Sequence, residues 1–543
     1  MAATLAAPAS TPSGIEPALS KPALPLRLER QHVLAGLAVL FVLFSVYQTL
    51  VQTVLTDDAV RKGLDIDEYD MTWQQAGYGV GLMYGVFAGM WLSGRIGGRY
   101  TIAFGLLGFA FGNLLCGAAN GLESFVLGRF VDGFGKTMVM IVCRRTLYKQ
   151  FDRLLLVAIG FYGVFAYSTR NGTPLLQSEL LEWLSWRWMY WFYVPIALLA
   201  MVLVGRYFRP DRPPQPVRLP IDWLAVTVFT AWVVAILFAF GWYRKWGGWT
   251  SNAFAATVVL CIALPIFLVI WLGSGYSSDE HLKRLLRTRV VVLATAVRGL
   301  MLTQMVGVLT IVGMYATELR DYPRTTAGWL MVPTALTMAA TTLLTAWLHR
   351  RRLRHVWLVV GMFGTAASVW WMSSLDNFTS KEHVALMLAC WGGFLGLIPI
   401  AFLTDEVEGV SPADALYAGS LAIVSLFVPI LTVPTATGTV IKAASDQALD
   451  TYRLNLSTNR PAVREAAVRV ADYYHQRGQN GPELEQNTAT VLGGFAKVES
   501  IAYGFRVGLR FFSLMMLTLG VTAALLLWQA ARGLRAPPGA GYV

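Results

Sequence analysis

The sequence predicts an all-α polytopic membrane protein, and three observations carry the prediction. Of its 543 residues 55% are hydrophobic and only 14% are charged, about half the charged share of a soluble domain. A bilayer-spanning helix needs about 20 apolar residues, and fourteen stretches of that kind follow one another along the chain. The short connections between them are alternately rich and poor in Lys and Arg, as expected of a chain that weaves through a membrane.

The fourteen stretches lie at about 32–55, 74–93, 100–120, 123–142, 154–178, 187–206, 221–242, 252–272, 290–316, 327–348, 355–375, 383–404, 413–443 and 506–529. Residues 1–31, rich in Ala, Pro and Ser, lack the short apolar core and cleavage site of a signal peptide and are expected to form a disordered tail. An even number of spans puts both termini on one side. The short connections there carry eighteen basic residues (Arg95 and Arg99; Arg144, Arg145, Lys149 and Arg153; Arg206, Arg209, Arg212 and Arg218; Lys283, Arg284, Arg287 and Arg289; Arg350, Arg351, Arg352 and Arg354). The opposite short loops carry seven: Arg61, Lys62, Arg244, Lys245, Arg320, Arg324 and Lys381. Both termini are therefore expected in the cytoplasm, and the net charge of +12 is a topology signal rather than a nucleic-acid patch. Asp405, Glu406 and Glu408 make one acidic cytoplasmic turn, which the rule barely weighs. One outer loop is long: 444–505 is polar and holds an amphipathic helix begun by Asn459 and Pro461 and stopped by Gly478. Cys116, Cys143, Cys261 and Cys390 fall in apolar runs at no metal-ligand spacing, so neither a disulfide nor a metal site is expected.

Charges inside spans cost about 2.5–3.5 kcal/mol each on insertion scales, and the fourth span carries Arg129, Asp132 and Lys136 together. Their i, i+3, i+7 spacing puts all three on one helical face, which must look into protein or water. Asp132, near the bilayer middle, either locks the helix by pairing with Arg129 and Lys136 or binds a proton, with desolvation and the flanking cations opposing each other. Gly133-Phe134-Gly135-Lys136-Thr137 is not a phosphate loop, because Phe130 stands where that motif needs its first glycine; no nucleotide is expected. Arg298 is near enough to the cytoplasmic end of the ninth span to snorkel. Arg170 is followed by Asn171-Gly172-Thr173-Pro174, which weakens the fifth span and suggests a kink beside a cavity.

Several of these segments resemble the major facilitator superfamily, and within it the fourteen-span drug:proton antiporter family. Leu92-Ser93-Gly94-Arg95-Ile96-Gly97-Gly98-Arg99 is similar to the signature loop G-x-L-x-D-R-x-G-R-R, and Arg129-Phe130-Val131-Asp132-Gly133-Phe134-Gly135 to R-x-x-Q-G-x-G, whose arginine is implicated in proton transfer. Pro174, Trp186-Arg187-Trp188 and Pro195 follow the fifth-to-sixth span pattern. Asp222-Trp223, Gly248-Trp249, Ala327-Gly328-Trp329 and Pro333 add to the match. Four departures bear on mechanism: the signature aspartate is Gly94, the glycine pair after Pro174 is Gln177-Ser178, the first-span aspartate of relatives is absent from Tyr47-Gln48-Thr49, and the fourth-span motif glutamine is Asp132, as if the proton-coupling carboxylate had moved there.

The resemblance implies the major facilitator fold: two six-helix halves, 32–206 and 290–529, the latter including loop 444–505, with a two-helix hairpin and its linkers at 207–289 between them and cytoplasmic tails at 1–31 and 530–543. It implies a proton-coupled exporter of amphipathic or drug-like molecules in the plasma (inner) membrane, driven by the proton gradient without a cofactor. Proton-coupling candidates are Asp132, Arg129 and Lys136. Cavity candidates are Arg170, Asn171, Tyr78, Tyr84, Tyr162, Phe165, Gln48 and Gln304, because aromatic faces and buried amides suit flat or cationic solutes. Arg95, Gly97, Arg99 and Pro174 form the conformational motifs. Partners are a small-molecule substrate and the lipid bilayer; loop 444–505 is either a solvated hairpin cap or the surface that meets a periplasmic adaptor. An uptake or facilitative carrier, or a non-transporting scaffold or sensor, remains the alternative.

Overall fold

A computed structural model describes residues 30–47, 54–150, 155–208, 221–274, 280–348, 354–408, 415–455, 461–478 and 480–533. Every regular element among them is helical. Ten helices among the described residues are long and apolar enough to cross a membrane, and the described parts of the predicted apolar stretches lie mainly in helices. The chain is a multi-pass membrane protein.

A first bundle comprises α1 (Arg30–Tyr47), α2 (Val54–Leu64), α3 (Met71–Ile96), α4 (Gly98–Ala118), α5 (Leu122–Gln150), α6 (Leu155–Gly163), α7 (Thr169–Trp183), the single turn α8 (Trp188–Trp191) and α9 (Tyr193–Tyr207). Here α5 lies in the groove between α3 and α4, which glycines make possible. A Cβ at Gly81 would collide with the Phe130 carbonyl, one at Gly85 with Phe134 and Thr137, and one at Gly112 with the backbone of Asp132. This is the small-residue packing that holds membrane helices together when lipid is as apolar as any side chain.

Next come the hairpin α10 (Trp223–Gly241) and α11 (Asn252–Gly273), then the short amphipathic α12 (Glu280–Arg287). Asp222 caps α10 by accepting from the Ala225 N–H at 3.0 Å and ties the hairpin by accepting from Trp271 Nε1 at 2.7 Å. Helix α10 packs on α3, whereas α11 packs mainly on α10 and presents Val259, Ile262, Val269 and Ile270 outward, the environment of a lipid-facing helix.

A second bundle comprises α13 (Arg289–Met314), α14 (Arg324–Trp347), α15 (Arg354–Met372), α16 (Lys381–Leu395), α17 (Pro399–Glu408), α18 (Ala415–Asn455), α19 (Pro461–His475) and α20 (Pro482–Gly533). At 1.5 Å per residue α18 and α20, with 41 and 52 residues, are about 60 and 80 Å long, far more than the roughly 30 Å hydrocarbon core. Their ends nearest α19 therefore stand clear of the bilayer.

The bundles meet along α7 with α14 and α3 with α18. Although α7 has Gln177-Ser178 where a glycine pair is expected, close approach comes from the other side: a Cβ at Gly328 would strike Ser178 and Leu175. The fifth span is irregular one turn ahead of Pro174, with a π-helical turn at Val164–Ser168. A second π turn, Tyr315–Leu319, ends α13.

Candidate functional site

The fourth-span triplet is buried inside the first bundle. Arg129, Asp132 and Lys136 are 4%, 0% and 0% exposed. Asp132 Oδ2 accepts from Arg129 Nη1 and Lys136 Nζ, each at 3.1 Å, and its Oδ1 accepts from Asn113 Nδ2 at 2.9 Å. Arg129 also donates to Gln74 Oε1 at 3.1 Å and stacks over Tyr78 with its Cζ 3.8 Å from the ring centroid. Lys136 donates to the Tyr78 hydroxyl at 2.9 Å. Three helices thus supply the cage: Gln74 and Tyr78 from α3, Asn113 from α4, the ions from α5. A buried charge is tolerable only when paired and hydrogen-bonded, and Asp132 is both. The cluster carries one net positive charge. Asn113 and Gln74 were not singled out from sequence; the available signal was an amide inside an apolar span.

The cavity candidates do not gather at one place. Tyr78 belongs to this cage. Tyr84 turns toward the hairpin, stacking on Trp223 at 6.1 Å and hydrogen-bonding Thr227 at 2.8 Å. Tyr162 shares a 2.7 Å hydrogen bond with Tyr47, and Phe165 meets Phe44 edge-on at 6.4 Å. Asn171 is buried where α7 meets α14, its Nδ2 3.5 Å from Met338 Sδ and its Oδ1 without a hydrogen bond among the described residues. Gln304 is fully buried with neither amide atom hydrogen-bonded there. Gln48 and the Arg170 side chain lie outside the described residues. Arg298 does not snorkel: it is 2% exposed, 4.7 Å above the Phe402 ring, because α17 covers that side of α13.

In the signature loop Gly97 adopts φ +86°, a conformation suited to glycine, and lets α4 start immediately. Arg95 stacks on Trp91 at 4.0 Å, and Arg99 donates to the Gly205 carbonyl at the end of α9. Both contacts stay within the first bundle.

On the signature-loop side, described residues of the two bundles pack together. Tyr167 meets Phe402 at 5.9 Å, His281 stacks on Tyr417 at 5.0 Å, and Ile141, Val142 and Ile400 to Leu403 are buried. On the far face a cavity of about 480 Å³ opens among α2, α3, α10, α13, α14 and α18, within the 300–1,000 Å³ typical of small-molecule sites. Tyr69, Met71, Phe240 and Met314 give it apolar wall; Asp57, Asp58, Glu68 and Glu318, with Arg61, Arg244, Arg324 and Lys442, give it charge of both signs. Two ion pairs cross from the first bundle to the second here: Asp58 with Arg324 at 3.4 Å, and Glu68 with Lys442. Arg244 joins the hairpin to Asp446 of α18. None of Tyr78, Tyr84, Tyr162 or Phe165 lines this cavity.

The cavity and caged ions lie on a scaffold with known counterparts. The human organic anion transporter MFSD10 (TETRAN) superposes with a TM-score of 0.55 over 78% of this chain and 96% of its own, at 12% sequence identity, which speaks to fold. The tetracenomycin C resistance and export protein of Streptomyces glaucescens is 26% identical over 75% of this chain and 74% of its own length. Multidrug resistance protein 3 of Bacillus subtilis is 24% identical over 46% of this chain and 48% of its own. An uncharacterized MFS-type transporter of Mycobacterium tuberculosis is 26% identical over 64% of this chain, which spans only half of that protein. The Major Facilitator Superfamily profile matches residues 33–429, and the chain belongs to that superfamily of membrane transporters.

Proposed function

We propose that this protein is a proton-coupled exporter of amphipathic, drug-like molecules, working by alternating access in the plasma (inner) membrane with both termini in the cytoplasm. Its fourteen spans form two six-helix halves, 32–206 and 290–529, around the hairpin region 207–289. The observation that carries this reading is the caged Arg129–Asp132–Lys136 cluster: a fully buried carboxylate between two cations, in a chain whose relatives bear the names of antibiotic and multidrug export proteins. Asp132 is the proton-coupling carboxylate. When it is protonated, Arg129 and Lys136 lose their shared anion and the cage that clamps α5 between α3 and α4 loosens. When it is ionised the cage closes. A bilayer-centre charge cluster that changes its pairing is the kind of two-state element that rocking bundles need.

The test is efflux into inside-out vesicles under an imposed pH gradient, with a panel of amphipathic substrates. The native protein accumulates substrate only with the gradient; Asp132→Asn loses gradient dependence when transport is normalised to the amount of folded protein in the vesicles, and Asp132→Glu restores part of it. Full pH-dependent transport by Asp132→Asn overturns the role of Asp132. Gradient-independent equilibration by the native protein would instead mark a facilitative carrier. The projecting α18–α20 segment, which includes loop 444–505, is the surface proposed to meet a periplasmic adaptor, checked by pull-down with and without 461–478.

A further inference from the structure

The far-face cavity contains more acid than its bases use. Asp58 is held by Arg61 at 2.7 Å and Lys62 at 2.8 Å as well as by Arg324. Glu68 is taken by Lys442, and Arg244 by Asp446 outside the lining. Glu318, in the π turn that ends α13, lies within electrostatic reach of Lys442 and Glu68 but makes no ion pair among the described residues. Asp57 differs from all of these. It sits in the first turn of α2, lines the cavity, and keeps one carboxylate oxygen buried without a hydrogen-bond partner among the described residues.

What lies behind Asp57 gives that isolation meaning. Val60 and Leu64 of α2 pack into a small core with Cys116, Phe125 and Tyr190, and Trp186 closes on Gly63. The helix is thereby pressed toward the end of α5 that carries Arg129. The Arg129 guanidinium is the cation whose field reaches Asp57, and the Tyr190 phenol is the other titratable group coupled to it from behind. Arg129, paired with Asp132 in the cage, is thus also within electrostatic reach of Asp57 on the cavity side.

We infer that Asp57 is a second protonation site, open to the outer medium through the cavity and tied to the caged cluster because it shares Arg129 with Asp132. This rests on the orientation and proton coupling proposed above. A proton taken up by Asp57 from outside removes its pull on Arg129 and tightens the Arg129–Asp132 pair; its release draws the guanidinium back toward the cavity. Burial of the Asp57 carboxyl raises it from 3.8 to about 7 despite the lowering effect of Arg129, so the switch operates in the pH range a transporter meets.

Difference infrared spectroscopy of the full-length protein reconstituted in liposomes, titrated across neutral pH, reads this carboxyl without any transport. A protonated-carboxyl band with a midpoint near 7 is expected in the native protein and in Asp58→Asn, and its loss is expected in Asp57→Asn. Retention of the band in Asp57→Asn overturns the assignment. Arg129→Gln should move the midpoint upward by about 1 unit, as loss of a neighbouring cation does, while Arg129→Lys leaves it near its native position. An unmoved midpoint in Arg129→Gln overturns the sharing. Because the band is read without substrate or gradient, failure of proton-driven efflux would count against the proposed function and leave this outcome standing.

Discussion

Asp132 neutralises two buried cations at once, so taking its charge away strands both. Breaking a buried pair by removing one partner costs about 3–5 kcal/mol, and thermal unfolding in detergent should show Asp132→Asn among the least stable single variants of α5. Replacing Lys136 as well, in Asp132→Asn/Lys136→Met, leaves Arg129 with Gln74 and the Tyr78 ring and should recover about 1–3 kcal/mol of coupling. A double variant as unstable as the two single losses added together would refute the cage. Asp57 predicts an opposite kind of effect. Its carboxyl is raised from 3.8 to about 7, so between those values the folded protein holds a proton that the unfolded chain has released. Stability must fall as pH rises through that window. Asp57→Asn, a permanent mimic of the protonated form, should melt like the native protein near pH 4 and above it near pH 8, and equal melting at both ends would show that Asp57 ionises freely. The sequence made the triplet legible because i, i+3, i+7 is geometry. It did not reveal Asp57, because an acid just beyond a span normally faces water, and only the fold buries one of its carboxylate oxygens.

At the scale of elements, hydropathy located the helices well because lipid imposes one rule on every span: each backbone hydrogen bond is closed within the segment. It could not foresee that α18 and α20 run on past the membrane, since polar helix and polar loop have the same hydropathy. Nor could it place the π turn at Val164–Ser168, which depends on how α6 and α7 fit against α14. Helix contacts are governed by glycines whose effect depends on the neighbour, which allows a paired test. Gly112→Ala would force α4 away from the Asp132 backbone and Gly81→Ala would force α3 away from Phe130, each costing about 1–3 kcal/mol as overpacking does. Gly172→Ala meets nothing within 4 Å and should hold or raise the melting temperature, alanine being the better helix former by about 1 kcal/mol. If all three variants melted alike, the close packing of α3, α4 and α5 would not be what positions the ions.

For the whole molecule the question is what keeps the far face from opening wider. The described near-face contacts include the Tyr167–Phe402 and His281–Tyr417 ring pairs, whereas contacts between bundles on the far face include Arg324–Asp58 and Lys442–Glu68. Among the described residues the signature loop makes no ion pair across the near side: Gly94 supplies no acid, and Arg99 donates to the Gly205 carbonyl of its own bundle. Among the described residues, the ion pairs that join the bundles stand on the opposite face from the signature loop. These pairs are between about a third and two thirds exposed, so each contributes at most about 1 kcal/mol and is screened by salt. That is the right size for a latch that must break in every cycle. Removing both in Arg324→Gln/Lys442→Gln should favour the open state by about 1–2 kcal/mol, a five- to thirtyfold change in population. Spin labels at exposed Asp65 and Gln447, on a background with the four native cysteines replaced, report the separation across the cavity. The double variant should populate longer distances than the native protein, and high salt should move the native distribution the same way. If neither change lengthened the distances, the apolar contacts of α3 with α18 and α7 with α14 would be holding the far face, with the ion pairs as passengers on its rim.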